Sequence, residues 1–427
     1  MAIKRDESGK NGHFQKTTLK NGLRVITEKI PSVRSISIGV WIDVGSRNEK
    51  PSENGLSHFI EHMVFKGTKK RTAKQIASSL ESIGGSLNGF TSREHTCYTA
   101  RVLDLYLEEA IDVLADMACN SSMTPVNLKR EGLVICEEIK EVLDNPADYI
   151  HDLFSETYWG EDPLGQPIMG TPENITGMTR SKMLKFLKRH YKNPAVVVSA
   201  SGAVSHSKLV KLVKEKFNFE DGEPEQLETP VRSREYAVKV VRDKNQQTHY
   251  CLGFPGVAYV NPDKFAVMAL NSYLGGGMSA VLFQKIREEK GLAYSVYTYH
   301  DLYRDSGIFG FYMGTDSSRL VEAHEIILKE IGKAKRNRLT TSRLVQIKAQ
   351  LKGHLLLGME STSNRMSRIA RQELLSGKYY TLKQVINKID KVTSSDLLNM
   401  ANRIFDESKM AISVLGPVNG DVFKDVG

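Results

Sequence analysis

The same order of elements is written twice along this chain, once on each side of an acidic, proline-bearing break. Strand-like alternation appears at residues 23–26 and 35–44 (SISIGVWIDV), then a polar stretch, helical segments and a β-rich stretch at 85–102. Beyond the break, strand-like 236–241 and 248–253 lead into helical 264–274, strands at 291–299 and 306–313, and helical 320–331. The recurrence predicts an internal duplication. The expected fold class is α+β, with two homologous domains, each a largely antiparallel β-sheet packed against α-helices. The break itself, residues 218–234 (NFEDGEPEQLETPVRSR), holds two prolines, one glycine and five acids before Pro230, and has no periodicity. It reads as a linker. The expected domains are therefore 1–217 and 235–427, joined by 218–234. The length of 427 residues agrees, since about 150 residues per domain gives two to three domains.

Several function classes are excluded or weakened by composition. No run approaches the roughly 20 apolar residues of a membrane span, and the polar N-terminus lacks the apolar core of a secretory signal. Four scattered cysteines (Cys97, Cys119, Cys136 and Cys251) contain no Cys-x-x-Cys, so neither a disulfide framework nor a thiolate metal site is expected. The expected compartment is the cytoplasm, with no membrane partner. A net charge of +9 permits nucleic-acid contact, but no recognition motif or long basic run accompanies it, and no nucleic-acid partner is expected.

The chemistry concentrates in residues 54–68, NGLSHFIEHMVFKGT. Asn54 is placed to cap a helix starting near Gly55. Leu56, Phe59, Ile60, Met63 and Val64 recur at helical spacing as an apolar stripe, and His58, Glu61 and His62 fall on the other side. Histidines at i and i+4 stand one turn apart and can face one ion, with a carboxylate between them to take a proton from activated water. This is His-x-x-Glu-His, the inverted zinc-peptidase motif. On its own the pattern is only moderately specific, because a catalytic zinc needs a third protein ligand.

Residues 127–143, NLKREGLVICEEIKEVL, supply candidates. Leu128, Ile135, Ile139 and Val142 form a helical stripe that also contains Glu131 and Glu138, whereas Glu137 and Glu141 point elsewhere. Carboxylates on a core-facing stripe are costly to bury unless paired or metal-bound. One of the two can be the third ligand, and the other can fix a ligand histidine by hydrogen bonding. Buried salt bridges are the alternative.

HFIEHMVFKGT followed by REGLVICEEIKEV resembles the pitrilysin/insulinase family of zinc peptidases, on the side of the processing-peptidase β-subunit type and its bacterial relatives. The resemblance runs over nearly the whole chain, including GSLNGFTSREHTCYTA at Gly85 and PLGQPIMGTPENI at Pro163. It implies one Zn²⁺ per chain held by His58, His62 and Glu138, the last standing 76 residues after the second histidine. It also implies Glu61 as the base and Glu131 as a supporting carboxylate. In the family, the segment containing Asn88, Gly89 and Phe90 is an edge strand to which substrate adds as a further strand, and alanine is usual where this chain has Gly89.

In the second half, GGGMSAVLFQKIREEKGLAYSVY starts at Gly275. Arg287 and Tyr294 match a family arginine and tyrosine, seven residues apart, that hold substrate near the zinc. The relatives commonly read SSRLF where this chain has SAVLF from Ser279. This half has no inverted motif, and His324-Glu325 lacks a second histidine, so His324 is expected at the surface. One half is thus read as catalytic and the other as an inert copy.

The expected activity is that of a zinc endopeptidase acting on peptides or unfolded segments. Family members enclose substrate among four homologous domains, so this two-domain chain implies a homodimer, or else a heterodimer with an inactive homologue. The competing reading is a non-catalytic scaffold subunit. Such relatives usually lose motif residues, whereas His58, Glu61, His62 and Glu138 are all present here.

Overall fold

The computed structural model describes residues 5–6, 13–225, 235–244, 246–418 and 422–423. The chain separates into two compact units. The first comprises Met1–Lys140, Gln166–Thr229 and Gly358–Tyr379; the second comprises Glu141–Gly165, Pro230–Leu357 and Tyr380–Gly427.

The first unit is built on a seven-stranded sheet of β1 (Arg5–Asp6), β2 (Phe14–Thr18), β3 (Arg24–Lys29), β4 (Ser35–Ile42), β5 (Ser86–Thr91), β6 (Thr96–Leu103) and β7 (Val196–Gly202). The spatial order is β1-β2-β3-β7-β4-β6-β5. All neighbours are antiparallel except β3 and β7. The sequence of β4, SISIGVWI, is apolar or small nearly throughout because both faces of the sheet are covered. Ile36, Ile38, Val40 and Ile42 enter the main core, shared with α1 (Leu56–Val64), α2 (Ala73–Glu81) and α3 (Leu107–Asn120). Trp41 points to the opposite face, as the two-residue period of a strand requires.

The second unit repeats the arrangement. Its strands β8 (Ala237–Arg242), β9 (Thr248–Pro255), β10 (Ala293–Leu302), β11 (Gly307–Thr315) and β12 (Ala411–Gly416) lie in the order β10-β11-β9-β12-β8. Only β12 and β8 run parallel. This is the order β5-β6-β4-β7-β3 of the first unit, strand for strand. The fold is therefore α+β with two mostly antiparallel sheets, and the duplicated order of elements in the sequence is a duplicated topology.

Each unit also takes one helix from the other half of the chain. Two long helices follow α3, namely α4 (Pro125–Asp144) and α5 (Pro146–Trp159). The second of them packs Ile150, Leu153, Phe154 and Trp159 on Cys251, Ile308, Tyr312 and Leu415 in the second unit. Reciprocally, the helix Thr362–Ser376 packs Met366, Ile369, Ala370 and Leu374 on Phe14, Ile26, Trp41 and Val197 in the first. Glycines on the matched strands make room for these helices. A Cβ on Gly253 of β9 would meet Phe154 Cζ at 2.3 Å, and one on Gly39 of β4 would meet Met366 Sδ at 2.6 Å.

Part of the segment expected as a linker is tied to the first unit. Asn193 Nδ2 donates to the Phe219 carbonyl at 2.9 Å and to Asp221 Oδ1 at 2.8 Å, and Phe219 is buried. The remainder, 226–234, lies outside the described residues. One expectation is corrected here. His324 is not at the surface: it is 1% exposed, with Nδ1 2.6 Å from the Tyr250 hydroxyl. It stands on the inner side of its helix, where Leu320, Ala323, Ile327 and Ile331 are also buried.

Candidate metal centre and substrate edge

Helix α1 carries the inverted motif, and its apolar stripe is buried as expected: Leu56, Phe59, Ile60, Met63 and Val64. The helix starts differently from the sequence reading. Asn54 does not cap it, because Gly55 precedes the first turn with φ +93° and turns the Asn54 side chain away. The Asn54 amide donates instead to the Pro167 carbonyl at 2.9 Å and to Glu49 Oε2 at 3.3 Å. Glu49 receives the free backbone N–H groups, from Gly55 at 2.7 Å and from Ser57 at 2.5 Å. Gly55 has little alternative to glycine, since a Cβ there would lie 2.6 Å from the Met169 carbonyl oxygen.

One turn apart on α1, the His58 and His62 rings lie with centroids 4.7 Å apart. Helix α4 brings Glu138 to them. Its Oε2 is 3.4 Å from His62 Nε2 and 4.0 Å from His58 Nε2. One ligand atom from each of the three residues lies within 4.8 Å of the others, the one such group among the described residues. Tetrahedral zinc with bonds of about 2.1 Å wants ligand atoms roughly 3.4 Å apart, so the three donors fit the ion after a small closure.

The electrostatics agree with the geometry. Burial, with a smaller contribution from His62, pushes the His58 pKa down to about 4, so the imidazole is neutral and its lone pair is available. Glu131, two turns before Glu138, is nearly buried and lies 3.3 Å from His62 Nδ1. An Nδ1–H donated to that carboxylate leaves Nε2 bare and facing Glu138. Lys66 Nζ, 3.0 Å from the other Glu131 oxygen, offsets the buried charge. His58 Nδ1 is buried without a hydrogen-bond partner, so nothing comparable fixes that ring.

Between the two histidines, Glu61 reaches toward β5, the edge strand of its sheet. Its Oε2 accepts from Thr91 Oγ1 at 2.7 Å. Burial is the main reason its pKa is raised, with the Thr91 hydrogen bond and His62 opposing and Glu138 reinforcing. Gly89 sits beside this carboxylate: a Cβ there would lie 3.1 Å from Glu61 Cγ and 3.0 Å from Phe65 Cε2. Gly89 and Thr91 face α1, whereas Phe90 turns to the other face and meets Trp41 edge-on, with centroids 5.5 Å apart. Asn88 is exposed, its Oδ1 accepting from the Gly89 N–H.

Thus five predicted site residues, His58, Glu61, His62, Glu131 and Glu138, meet in the first unit, with Asn88, Gly89 and Phe90 on the strand beside them. Arg287 and Tyr294 belong to the second unit and meet each other. The Arg287 guanidinium lies 4.6 Å from the Tyr294 ring centroid and 4.8 Å from that of Phe283, and the Tyr294 side chain is 74% exposed. Sequence reasoning missed Thr91, Lys66 and Glu49. Thr91 was within reach, since it lies two residues after Gly89 on the same strand face. No periodicity points to Glu49.

Comparison with known proteins identifies the family. The family described as "Insulinase (Peptidase family M16)" matches residues 24–172, and "Peptidase M16 inactive domain" matches 177–351. A Bacillus subtilis protein named "Uncharacterized zinc protease YmxG" is 42% identical over 407 residues, covering 95% of this chain and 98% of its own. A Streptomyces coelicolor "Uncharacterized zinc protease" is 38% identical, covering 95% of this chain and 90% of its own. The crystal structure of a Helicobacter pylori protease has the same fold, with a TM-score of 0.88 at 24% identity over 95% of this chain and 99% of that one. The inverted motif lies within the first matched region, together with Glu131 and Glu138, and the matches span both units. On these grounds the chain belongs to the M16 (insulinase) family of peptidases.

Proposed function

We propose that the protein is a zinc-dependent endopeptidase that cleaves peptides or unfolded segments. One observation carries this: donor atoms of His58, His62 and Glu138 converge beside the Glu61 carboxylate and the edge of a sheet. Zinc held by those three residues, one ion per chain, supplies a Lewis acid that polarises a carbonyl oxygen and acidifies water. The remaining work falls to the chain's own groups. Glu61 takes the proton from the attacking water and returns it to the leaving amine. Thr91 holds Glu61 Oε2, which leaves Oε1 for that transfer.

Strand β5, through Asn88, Gly89 and Phe90, offers backbone N–H and C=O groups to an extended peptide. Such pairing selects for chains without tertiary structure and is largely indifferent to side chains. Arg287 and Tyr294 have the roles the family resemblance implies, Arg287 on a substrate carbonyl and Tyr294 on the developing oxyanion. A second copy of the chain completes the four-domain enclosure, so the working form is a homodimer.

The test is peptide-library cleavage by zinc-loaded protein, with Glu61→Gln alongside. The variant should keep its zinc and lose about 10² to 10⁴ in rate. Unimpaired cleavage by zinc-loaded Glu61→Gln would sink the assignment. A zinc-replete wild type that cuts no peptide would instead be a non-catalytic subunit. Light scattering on the active form checks the assembly, and an active monomer rules out the dimer.

A further inference from the structure

Glu49 is a fully buried carboxyl group whose partners are hydrogen-bond donors rather than a cation. Its N–H donors all come from residues 54–57: Asn54 Nδ2 and the Gly55 N–H on Oε2, the Ser57 N–H on Oε1. The two oxygens therefore clamp the first turn of α1 from both sides, and the next residue is His58. Burial pushes this carboxyl up to about 8 while its donors pull it back, so the site is costly to maintain for a capping role alone.

Helix α1 has nine residues, fewer than three turns, and a helix that short does not hold itself in water. Its leading N–H groups need acceptors, and the ordinary source, the side chain just before the helix, is turned away by the left-handed Gly55. The clamp thus sets where the helix begins and how it is rotated. His58 is the ligand nearest the clamped end and the farther of the two histidines from Glu138, at 4.0 Å against 3.4 Å. His62 is steadied separately by Glu131, whereas the His58 ring has no such partner. His58 is therefore the ligand whose aim depends on the helix start.

We propose that Glu49 is a positioning residue of the metal centre, which fixes the first turn of α1 through the Gly55 and Ser57 amides and so aims His58 at the ion. This rests on the zinc-peptidase reading above, and it concerns metal geometry rather than turnover. Glutamine at position 49 keeps the volume but turns an NH₂ toward one of the two amide donors, which breaks one side of the clamp. Aspartate keeps both carboxyl oxygens but is one methylene too short to span both amides.

The experiment is titration of metal-free full-length protein with Co²⁺, read by its visible absorption, for wild type, Glu49→Gln, Glu49→Asp and Ile111→Val. The last removes one methyl group from the same core, on α3 rather than α1. Glu49→Gln should bind Co²⁺ about ten-fold or more weakly, with an altered visible spectrum and an unchanged far-ultraviolet circular dichroism. Ile111→Val should leave the spectrum as in wild type. Wild-type affinity and spectrum in Glu49→Gln overturn the proposal, as does equal weakening in Ile111→Val. If Glu49→Gln does not fold, Glu49→Asp decides: weaker binding with an altered spectrum supports the proposal, and wild-type behaviour overturns it. A folded wild type that takes up no Co²⁺ refutes the zinc reading itself, which is a different outcome.

Discussion

Thr91 Oγ1 donates a hydrogen bond to Glu61 Oε2 at 2.7 Å, linking the edge strand to the carboxylate between the two histidines. The bond restricts rotation of the carboxylate and assigns different tasks to its oxygens. Hydrogen bonds to charged groups contribute about 1.5–3 kcal/mol, so losing this one should lower kcat by roughly ten-fold or more. Thr91→Val, which keeps the shape and removes the hydroxyl, should show that loss with zinc content unchanged, and Thr91→Ser should recover most of the rate. Equal rates for the valine and wild-type enzymes, measured on one fluorogenic peptide, would remove Thr91 from the mechanism.

The role proposed for Glu131 runs through His62. Its Oε2 lies 3.3 Å from Nδ1, and Lys66 balances the carboxylate on the other side. Glu131→Gln removes the charge that fixes the tautomer and leaves Lys66 unpaired. Zinc affinity should fall about 10- to 100-fold, as measured by competition with a chromophoric chelator. Unchanged affinity would reduce Glu131 to an ordinary buried ion pair.

Much of this site was legible in the sequence because helical periodicity and metal chemistry constrain the same residues. The apolar stripe of α1 fixed the opposite face on which His58 and His62 had to stand, and the stripe of α4 separated Glu131 and Glu138 from Glu137 and Glu141. What escaped was set by contacts distant in sequence or by backbone geometry. Glu49 caps α1 from nine residues before His58, and only the left-handed Gly55 explains why Asn54 does not. The exchange of helices escaped as well. The duplication shows in the pattern of strands and helices, but nothing local tells α5, ending at Trp159, that its apolar face belongs on a sheet whose first strand starts at Ala237. His324 is buried because it falls in the helical stripe of Leu320, Ala323 and Ile327, a position that the chemistry of a lone histidine does not reveal.

That exchange makes a prediction about Gly253. A Cβ at this position would stand 2.3 Å from Phe154 Cζ, closer than any real contact, and the ring is enclosed by α5 and the sheet. Gly253→Ala must push Phe154 out of its packing, at a cost of about 1–3 kcal/mol. The second unit should lose that much in chemical denaturation, while zinc binding in the first is unchanged. Smaller side chains at 154 should relieve the clash, so the double variant with Phe154→Leu should recover part of the loss. Strict additivity of the two substitutions would show that they do not communicate.

Buried histidines should make the fold sensitive to acid. Burial pushes His324 down to about 4, and it does the same for His190 with help from Arg189. An unfolded histidine titrates near 6.5. Between about pH 6.5 and 4 the unfolded chain therefore holds a proton that each native histidine refuses. Stability from these groups is complete above pH 6.5 and is lost as pH falls, at about 1.4 kcal/mol per pH unit for each. Glu49 works in the other direction, since its raised pKa gives stability that is full in acid and lost as pH rises through about 8. The difference between wild type and His324→Gln isolates one of these contributions. Both are unfolded in urea at pH 7, 6 and 5 with metal removed by chelation, so that ligand protonation does not intrude. The wild type should lose about 1.4 kcal/mol more per pH unit than the variant below pH 6.5. Parallel pH dependence of the two proteins would mean that His324 titrates alike folded and unfolded, against its burial and its contact with the Tyr250 hydroxyl.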